Sequence, residues 1–378
     1  MIQLFKPVVG SEELKEVGKV FKKGWLGLGP KTEEFEKAFA SYIGVKYAVG
    51  VNSCTSALDL ALKILGVGLF DEVIVPTMTF VSTAHTVAYN LATPIFVDVT
   101  EDMLMDLEDV KRKISSRTKA IIPVHYSGRP VGMDSLREVA GKIPIIEDAA
   151  HACGSTYKGS KCGSWGDMSC FSFHAVKNLC TGDGGMLIFH SHDGKKLYER
   201  ARKLRWLGID KGTWERTDKN KSYWWEYGVG EIGLKCHMND VAAAIGLIQL
   251  KKLDKGNDRR RRIAERYTHG LKSMCITPRM DMEDSKSSWH IYCIRVPQRD
   301  ELSVYLKEKG IGTGVHYKPV HLYNCYGNIP KLPRAERLFR EILSLPMHLE
   351  LKDEDVTKVI ETMKMFFKER GVSYYVRR

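Results

Sequence analysis

The segment Ser172-Phe173-His174-Ala175-Val176-Lys177-Asn178-Leu179, followed by Thr181-Gly182-Asp183-Gly184-Gly185, places one lysine between an apolar run and a glycine-rich turn. A lysine on rigid backbone that is desolvated, or set near other cations, sheds its proton and becomes an amine able to form a Schiff base. Taken alone, one cation among 58 Lys and Arg is more simply a solvated surface group, and Lys177 stands out through its company. In Ile145-Ile146-Glu147-Asp148-Ala149-Ala150-His151, an apolar run ends on a carboxylate. Ligands of open α/β sheets bind beyond the carboxyl ends of the strands. A carboxylate there can keep a heterocyclic nitrogen protonated and turn a pyridine ring into an electron sink. The plainer role for Asp148 is capping the following turn. His151 could bond a phenolic oxygen of such a ring, or be a satisfied loop histidine.

Two further segments fit the same chemistry. Asn52-Ser53-Cys54-Thr55-Ser56-Ala57 joins a strand to a helix. Small hydroxyl residues at a helix start, with free N–H groups and the helix dipole, make an anion site. Simple N-capping by Ser or Thr explains them equally well. Pro76-Thr77-Met78-Thr79-Phe80-Val81-Ser82-Thr83 carries an aromatic, Phe80, that could stack on a flat heterocycle, although most lone phenylalanines are core. An amine, a carboxylate, an anion cup and an aromatic face are together what pyridoxal 5'-phosphate (PLP) requires.

The elements that must position these residues are legible in the hydrophobic pattern. Strands are expected at Tyr47–Val51, Val73–Val75, Pro94–Val99, Ala120–Val124, Ile143–Glu147, Cys170–Phe173 and Gly185–Phe189. Helices are expected at Thr55–Leu65, Thr79–Tyr89, Leu107–Ile114 and Ser135–Ala140. This alternation predicts an α/β domain with a mainly parallel sheet. The pattern then changes. A helix at Leu197–Leu207 precedes a polar, aromatic-rich loop at about 212–235 and a long helix over 239–271. Beyond it come the strand Trp289–Val296, the helix Arg299–Lys309, the strand Thr313–Tyr317 and a last helix over Asp353–Arg370. We expect a large domain over residues 1–250 and a smaller α+β C-terminal domain over 251–378, joined through the long helix.

Together these segments resemble the DegT-type sugar aminotransferases, members of the aspartate-aminotransferase fold. The likeness covers nearly the whole chain. It runs from Gly24-Trp25-Leu26-Gly27-Leu28-Gly29-Pro30 through the Asp148 and Lys177 segments and Met238-Asn239-Asp240 to Gly310-Ile311-Gly312-Thr313. It ends with His316-Tyr317-Lys318-Pro319-Val320-His321 and Leu343-Ser344-Leu345-Pro346. The resemblance implies Lys177 as the Schiff-base lysine and proton shuttle, with Asp148 against the pyridine nitrogen. It puts His151 near the phenolic oxygen and Phe80 on the ring, with Ser172, Thr55 and the Ser56 backbone on the phosphate. It implies a homodimer with shared sites, in which the 233–238 segment reaches the partner and Lys235 its phosphate. It also implies an amino-acid donor, L-glutamate, and a nucleotide-linked keto sugar as acceptor. His174, His316, Tyr317 and His321 are candidate substrate contacts, each also readable as a packed loop residue. This sequence departs from the family pattern at Cys54 (usually glycine), Lys235 (usually asparagine), His237 (usually arginine) and the Leu234/Cys236 pair (usually aromatic).

Bulk properties narrow the alternatives. The 378 residues are 43% hydrophobic and 28% charged, enough for a large core plus a second domain. The start, MIQLFKPVVG, has no apolar run behind a basic stretch, so no secretory leader is expected. No window approaches the roughly 18 apolar residues of a membrane span. Nine cysteines lie between Cys54 and Cys325 without a CxxC pair, which argues against a disulfide framework or a zinc site and for a reducing cytoplasm. The net charge of +12 could suit nucleic acid or an anionic small substrate. No nucleic-acid motif accompanies it, and Asp258-Arg259-Arg260-Arg261-Arg262 reads as a solvated helix face. A PLP-dependent sugar dehydratase, an aminotransferase for a small unlinked keto compound and a non-catalytic regulator are the rival functions.

Overall fold

The computed structural model describes residues 1–190, 194–211, 214, 225–281 and 284–370. Part of the expected loop at 212–235 therefore lies outside the described residues. Two helices the periodicity did not single out come first, α1 (Ser11–Lys23) and α2 (Pro30–Ile43). Pro30 opens α2 with a ring already set at a helical φ, and both helices end on a left-handed glycine, Gly24 and Gly44.

The main sheet uses β1 (Tyr47–Val51), β2 (Glu72–Pro76), β3 (Thr93–Val97), β4 (Thr118–Ile121) and β5 (Ile146–Asp148). After the two-residue strands β6 (Thr156–Tyr157) and β7 (Ser160–Lys161) come β8 (Met168–Ser172) and β9 (Gly185–Phe189). Between them lie α3 (Cys54–Ile64), α4 (Ser82–Tyr89), α5 (Leu107–Lys113) and α6 (Met133–Ala140). The hydrogen-bonded orders are β1-β9-β8-β5 and β3-β2-β4. Parallel bridges Ile121–Ile145 and Val124–Asp148 join the two sets into one sheet. Its pairs are parallel except those of β9, which runs antiparallel to both β1 and β8. Strands buried on both faces read as continuous apolar runs. Val49, Val75, Ile146 and Leu187 are accordingly fully buried.

The chain continues through α7 (Gly194–Leu204) into α8 (Asp240–Leu271), then β10 (Ser285–Lys286), β11 (Tyr292–Arg295), α9 (Arg299–Glu308), α10 (Pro333–Glu341), β12 (Ile342–Leu345) and α11 (Asp353–Glu369). Asn239 caps α8 by accepting the Ala242 N–H at 2.8 Å. Asp240 accepts both the Thr32 N–H and hydroxyl, which ties this helix to the start of α2. The second half of α8 packs with β11, β12, α9 and α11 in a separate apolar cluster that includes Tyr267, Tyr292 and Phe366.

Two expectations are corrected. Thr313–Tyr317 is not a strand. The residue before it, Gly312, donates to Ile2 O at 2.8 Å, and within the segment Gly314 makes one isolated bridge to Ser344, so no ladder forms. The basic run on α8 is not uniformly solvated. Arg260 is buried and donates to Met347 O at 3.1 Å, Arg259 pairs with Asp353, and Arg261 pairs with Asp281 and Asp258. Of the run, Asp258 and Arg262 are exposed.

Candidate active site

The carboxyl ends of β1, β2, β4, β5 and β8 converge on one cavity of about 380 Å³. Its lining includes Thr55 from the start of α3, Thr79 and Phe80 beyond β2, and Asp148 and His151 from β5. Ser172, His174 and Lys177 enter from β8, and His316 and Tyr317 from the segment before β12. The order of strands thus gathers residues 55 to 317 of the chain at one sheet edge.

Lys177 follows β8 in a turn closed by its N–H to His174 O at 2.9 Å. Burial pulls its amine down to about 8, only partly opposed by Cys54 and Asp148. The amine is therefore about one-tenth uncharged at pH 7 and half uncharged near 8, far more than an ordinary lysine, which gives it the neutral fraction a nucleophilic lysine needs. Asp148 is buried, and desolvation raises its carboxyl. Thr83 Oγ1 donates to it at 2.8 Å and Ala150 N–H at 3.1 Å, and both favour the charged form. The neighbouring Glu147 is fully buried too. Desolvation would raise it, but His125 and the Gly163 and Gly166 N–H groups outweigh that and hold it lowered. This network fixes the end of β5 that presents Asp148.

His151 is buried and its pKa falls through desolvation, then through Lys177 and His316, so its ring is neutral. Ser127 N–H donates to Nδ1 at 3.3 Å. That leaves the proton on Nε2, which lies 3.0 Å from the Tyr317 hydroxyl. Tyr317 packs on the His151 ring, and the half-exposed Phe80 lies 6.0 Å from Tyr317. His316 Nδ1 bonds Ser344 at 2.8 Å, and burial lowers its pKa to about 4.

At the start of α3, Ser53 Oγ accepts the Ser56 N–H at 3.1 Å. The Ser56 hydroxyl donates to Asn52 at 2.7 Å. Ser53, Cys54 and Thr55 face the cavity, whereas Ser56 serves the cap. Gly185 closes this corner. A Cβ there would lie 2.5 Å from the Ser53 carbonyl carbon and 2.7 Å from Cys54 N. Backbone cannot yield as a side-chain end can, so Gly185→Ala pushes the start of α3 away. We expect a loss of about 1–3 kcal/mol in stability, typical of overpacking, and weaker cofactor retention. Calorimetry and a PLP titration check both, and an unchanged melting midpoint would refute the expectation.

Not every expected residue lies here. His321 is buried behind the site, with Nδ1 2.6 Å from Thr77 Oγ1 and Nε2 3.4 Å from Glu336, and it does not line the cavity. Its packed-loop reading is the one the geometry bears. Lys235 is exposed outside the cavity of its own chain, with Nζ 4.4 Å from the centre of the Trp206 ring. Thr83 and His290 were not singled out from sequence. Thr83 sits in the Phe80 segment at helical spacing from Thr79, whose hydroxyl it meets at 2.8 Å. His290 lies inside an apolar strand signal and nothing local marks it. Among the described residues, no cluster of His, Cys, Asp or Glu could hold a metal ion.

The donor set fits PLP. It offers a desolvated amine, a buried carboxylate held by polar donors, a neutral histidine and a helix start kept open by a glycine. The family model described as DegT/DnrJ/EryC1/StrS aminotransferase matches residues 7–364. The chain belongs to that family. It is a PLP-dependent aminotransferase of the aspartate-aminotransferase-like fold. It is 41% identical to the spore coat polysaccharide biosynthesis protein SpsC of Bacillus subtilis (strain 168) over 375 residues, 95% of each chain. Among solved structures it is similar to Spr1654 of Streptococcus pneumoniae in its PMP form, with 34% identity, a TM-score of 0.92 and coverage of 98% of this chain and 100% of that one. Spr1654 is also solved in a PLP form. The sugar aminotransferase CalS13 of Micromonospora echinospora gives 31% identity and a TM-score of 0.88 over 97% and 100% of the two chains.

Proposed function

We propose that this aminotransferase moves an amino group from an amino acid, L-glutamate, to a nucleotide-linked 3-keto or 4-keto deoxysugar, and that Lys177 and Asp148 carry the chemistry. The observation that carries the reading is the Lys177–Asp148 pair in one cavity at the carboxyl edge of the sheet. The sugar rests on the printed names of SpsC and CalS13, the one concerned with a polysaccharide and the other a sugar aminotransferase.

When bound, PLP supplies an electron sink for the carbanion formed as the amino group moves. The rest falls to the chain. Asp148 presents a carboxylate at a strand end where a cationic ring nitrogen would relieve its desolvation. Lys177, whose lowered pKa leaves a usable neutral fraction near neutrality, would tether the cofactor and then take and return the proton at the reacting carbon. Ser172 Oγ accepts the His174 N–H at 3.4 Å, which leaves its own hydrogen for the phosphate with Thr55. Neutral His151 donates from Nε2, and Tyr317 and Phe80 wall the cavity. His174 and His316 are the substrate contacts we assign.

The enzyme would act as a cytoplasmic homodimer. Lys235, exposed and absent from the lining of its own cavity, would enter the partner's phosphate cup. A charge-assisted bond is worth about 1.5–3 kcal/mol, so Lys235→Ala should weaken PLP binding about tenfold or more. Equilibrium titration reads this, and unchanged affinity would remove Lys235 from the cup. The function itself is tested by incubating the protein with L-glutamate and a panel of 3-keto and 4-keto nucleotide sugars, with mass spectrometry of the products. Amination of an unlinked keto compound in preference to every nucleotide sugar would overturn the assigned substrate.

A further inference from the structure

His290 is buried beside Lys177, with Nε2 3.4 Å from Lys177 Nζ, and no role above uses it. Its other nitrogen, Nδ1, lies 3.2 Å from Asn178 Oδ1. The Asn178 amide nitrogen donates to Asn257 Oδ1 at 2.8 Å and to Ser288 O at 2.7 Å. Both its hydrogens are thereby used, which fixes which end of the amide is oxygen. Asn257 is itself pinned by donating to Cys153 O at 3.0 Å. The Asn178 oxygen can only accept, so His290 Nδ1 carries the ring proton and Nε2 turns a lone pair toward Lys177.

The ring itself is held firmly. Phe5 stacks on it with centroids 5.6 Å apart and planes 11° apart, and His290 N donates to Ser127 O at 3.1 Å. Ser288, two residues earlier, donates its hydroxyl to His151 O and accepts from Asn178 on its carbonyl. The acceptor thus sits in the bend just before β11, tied through the His290 N–H to Ser127 O and through the Ser288 hydroxyl to His151 O, in the loops that follow β4 and β5.

We propose that His290 is a positioning residue for Lys177, resting on the reading of Lys177 as the reactive lysine: its Nε2 takes one hydrogen of the free amine and so turns the amine's lone pair into the cavity. The alignment matters whenever Lys177 is not joined to the cofactor, both on first capture and while it shuttles the proton. A misaligned amine loses rate rather than substrate affinity, because orientation is supplied before the reacting state is reached.

Two substitutions separate alignment from packing. His290→Phe keeps a ring against Phe5 but offers no acceptor. His290→Gln loses the stacked ring, yet its oxygen can accept from Lys177 while its nitrogen donates to Asn178. The first readout is the rate at which cofactor-free protein captures added PLP, followed by visible absorbance. The second is kcat against KM for the half-reaction with L-glutamate. Losing one orienting bond should slow capture and kcat about tenfold in the phenylalanine variant, with KM nearly unchanged, and glutamine should restore most of both. If phenylalanine matches the wild type, or glutamine is no better than phenylalanine when both fold, the proposal falls. If neither variant folds, ¹⁵N NMR of wild-type protein labelled at histidine decides. An unprotonated Nε2 on His290 supports the assignment, and a protonated one overturns it. PLP capture needs neither sugar nor donor, so a wrong substrate assignment leaves this test standing. Wild-type protein that captures no PLP on Lys177 would instead refute the reading of Lys177 itself.

Discussion

Lys177→Ala should capture no PLP as a lysine-linked chromophore and should lose turnover by about four orders of magnitude or more. It removes the covalent tether together with a proton-transfer group, itself worth up to about 10⁴-fold. The cavity need not collapse, since Asp148 and Ser172 hold their places through bonds that do not involve Lys177 and Thr55 is carried by α3. A folded protein without the chromophore is therefore the expected product. The wild type supplies a matched pH experiment. Burial depresses the Lys177 amine to about 8, so the neutral form grows as pH rises through that value. The PLP capture rate should climb with pH and level off above about 8, where an ordinary lysine would still be climbing. Full turnover with normal absorbance in the alanine protein would end the assignment of Lys177. A capture rate still rising at pH 10 would refute the lowered amine.

The central positions were legible because each is a local pattern. Asp148 closes an apolar run, and Lys177 lies between an apolar run and glycines. The strand expected at Gly185–Phe189 has those bounds in the structure. Its direction was not legible. An apolar run buried on both faces reads the same either way, and only the pairing with β1 and β8 shows that β9 is antiparallel. His290 escaped for a related reason. It sits among buried apolar residues, and its meaning lies in Asn178 and Lys177, more than a hundred positions away. The Arg run shows how composition misleads in detail, since one helix turn points Arg260 inward to Met347 O and Arg262 outward. The expected Thr313–Tyr317 strand failed at the glycine just before it. Gly312 lies so close to the N-terminal segment that a Cβ would sit 3.1 Å from Leu4 N, and the chain bonds there instead of in a ladder.

The electrostatics of the cavity follow from burial. His151, His290 and His316 all lose basicity mainly by desolvation, with Lys177 adding to each. Three neutral histidines around the amine supply donors and acceptors without adding charge, and Asp148 is the buried carboxylate of the cavity, with the exposed Asp183 at its edge. Cys54, where the family usually has glycine, is buried beside this pair, and desolvation pushes its thiol well up. At neutral pH it behaves as a small apolar group and not as a thiolate.

Asp148→Asn is the complementary experiment, with the second-largest effect. The amide is nearly isosteric, and its oxygen can still accept from Thr83 or from the Ala150 N–H. Fold and cavity should survive, and Lys177 should still capture PLP. What disappears is the charge. Desolvation already raises the Asp148 carboxyl, so a cationic ring nitrogen is the partner that would make its burial favourable. Without that charge the ring nitrogen loses its reason to stay protonated, and the electron sink weakens. Removing one preorganised electrostatic contact of this kind typically costs about 10²–10³-fold in kcat. The expected protein thus carries its lysine-linked cofactor yet turns over slowly, unlike Lys177→Ala, which forms no such link. A second arm is thermodynamic. With an amide in place of the carboxylate, the cofactor-free cavity no longer buries a charge. The substituted protein should therefore melt no lower than wild type without PLP, while gaining less from added PLP. Wild-type kcat in Asp148→Asn would show that the carboxylate serves only the turn after β5.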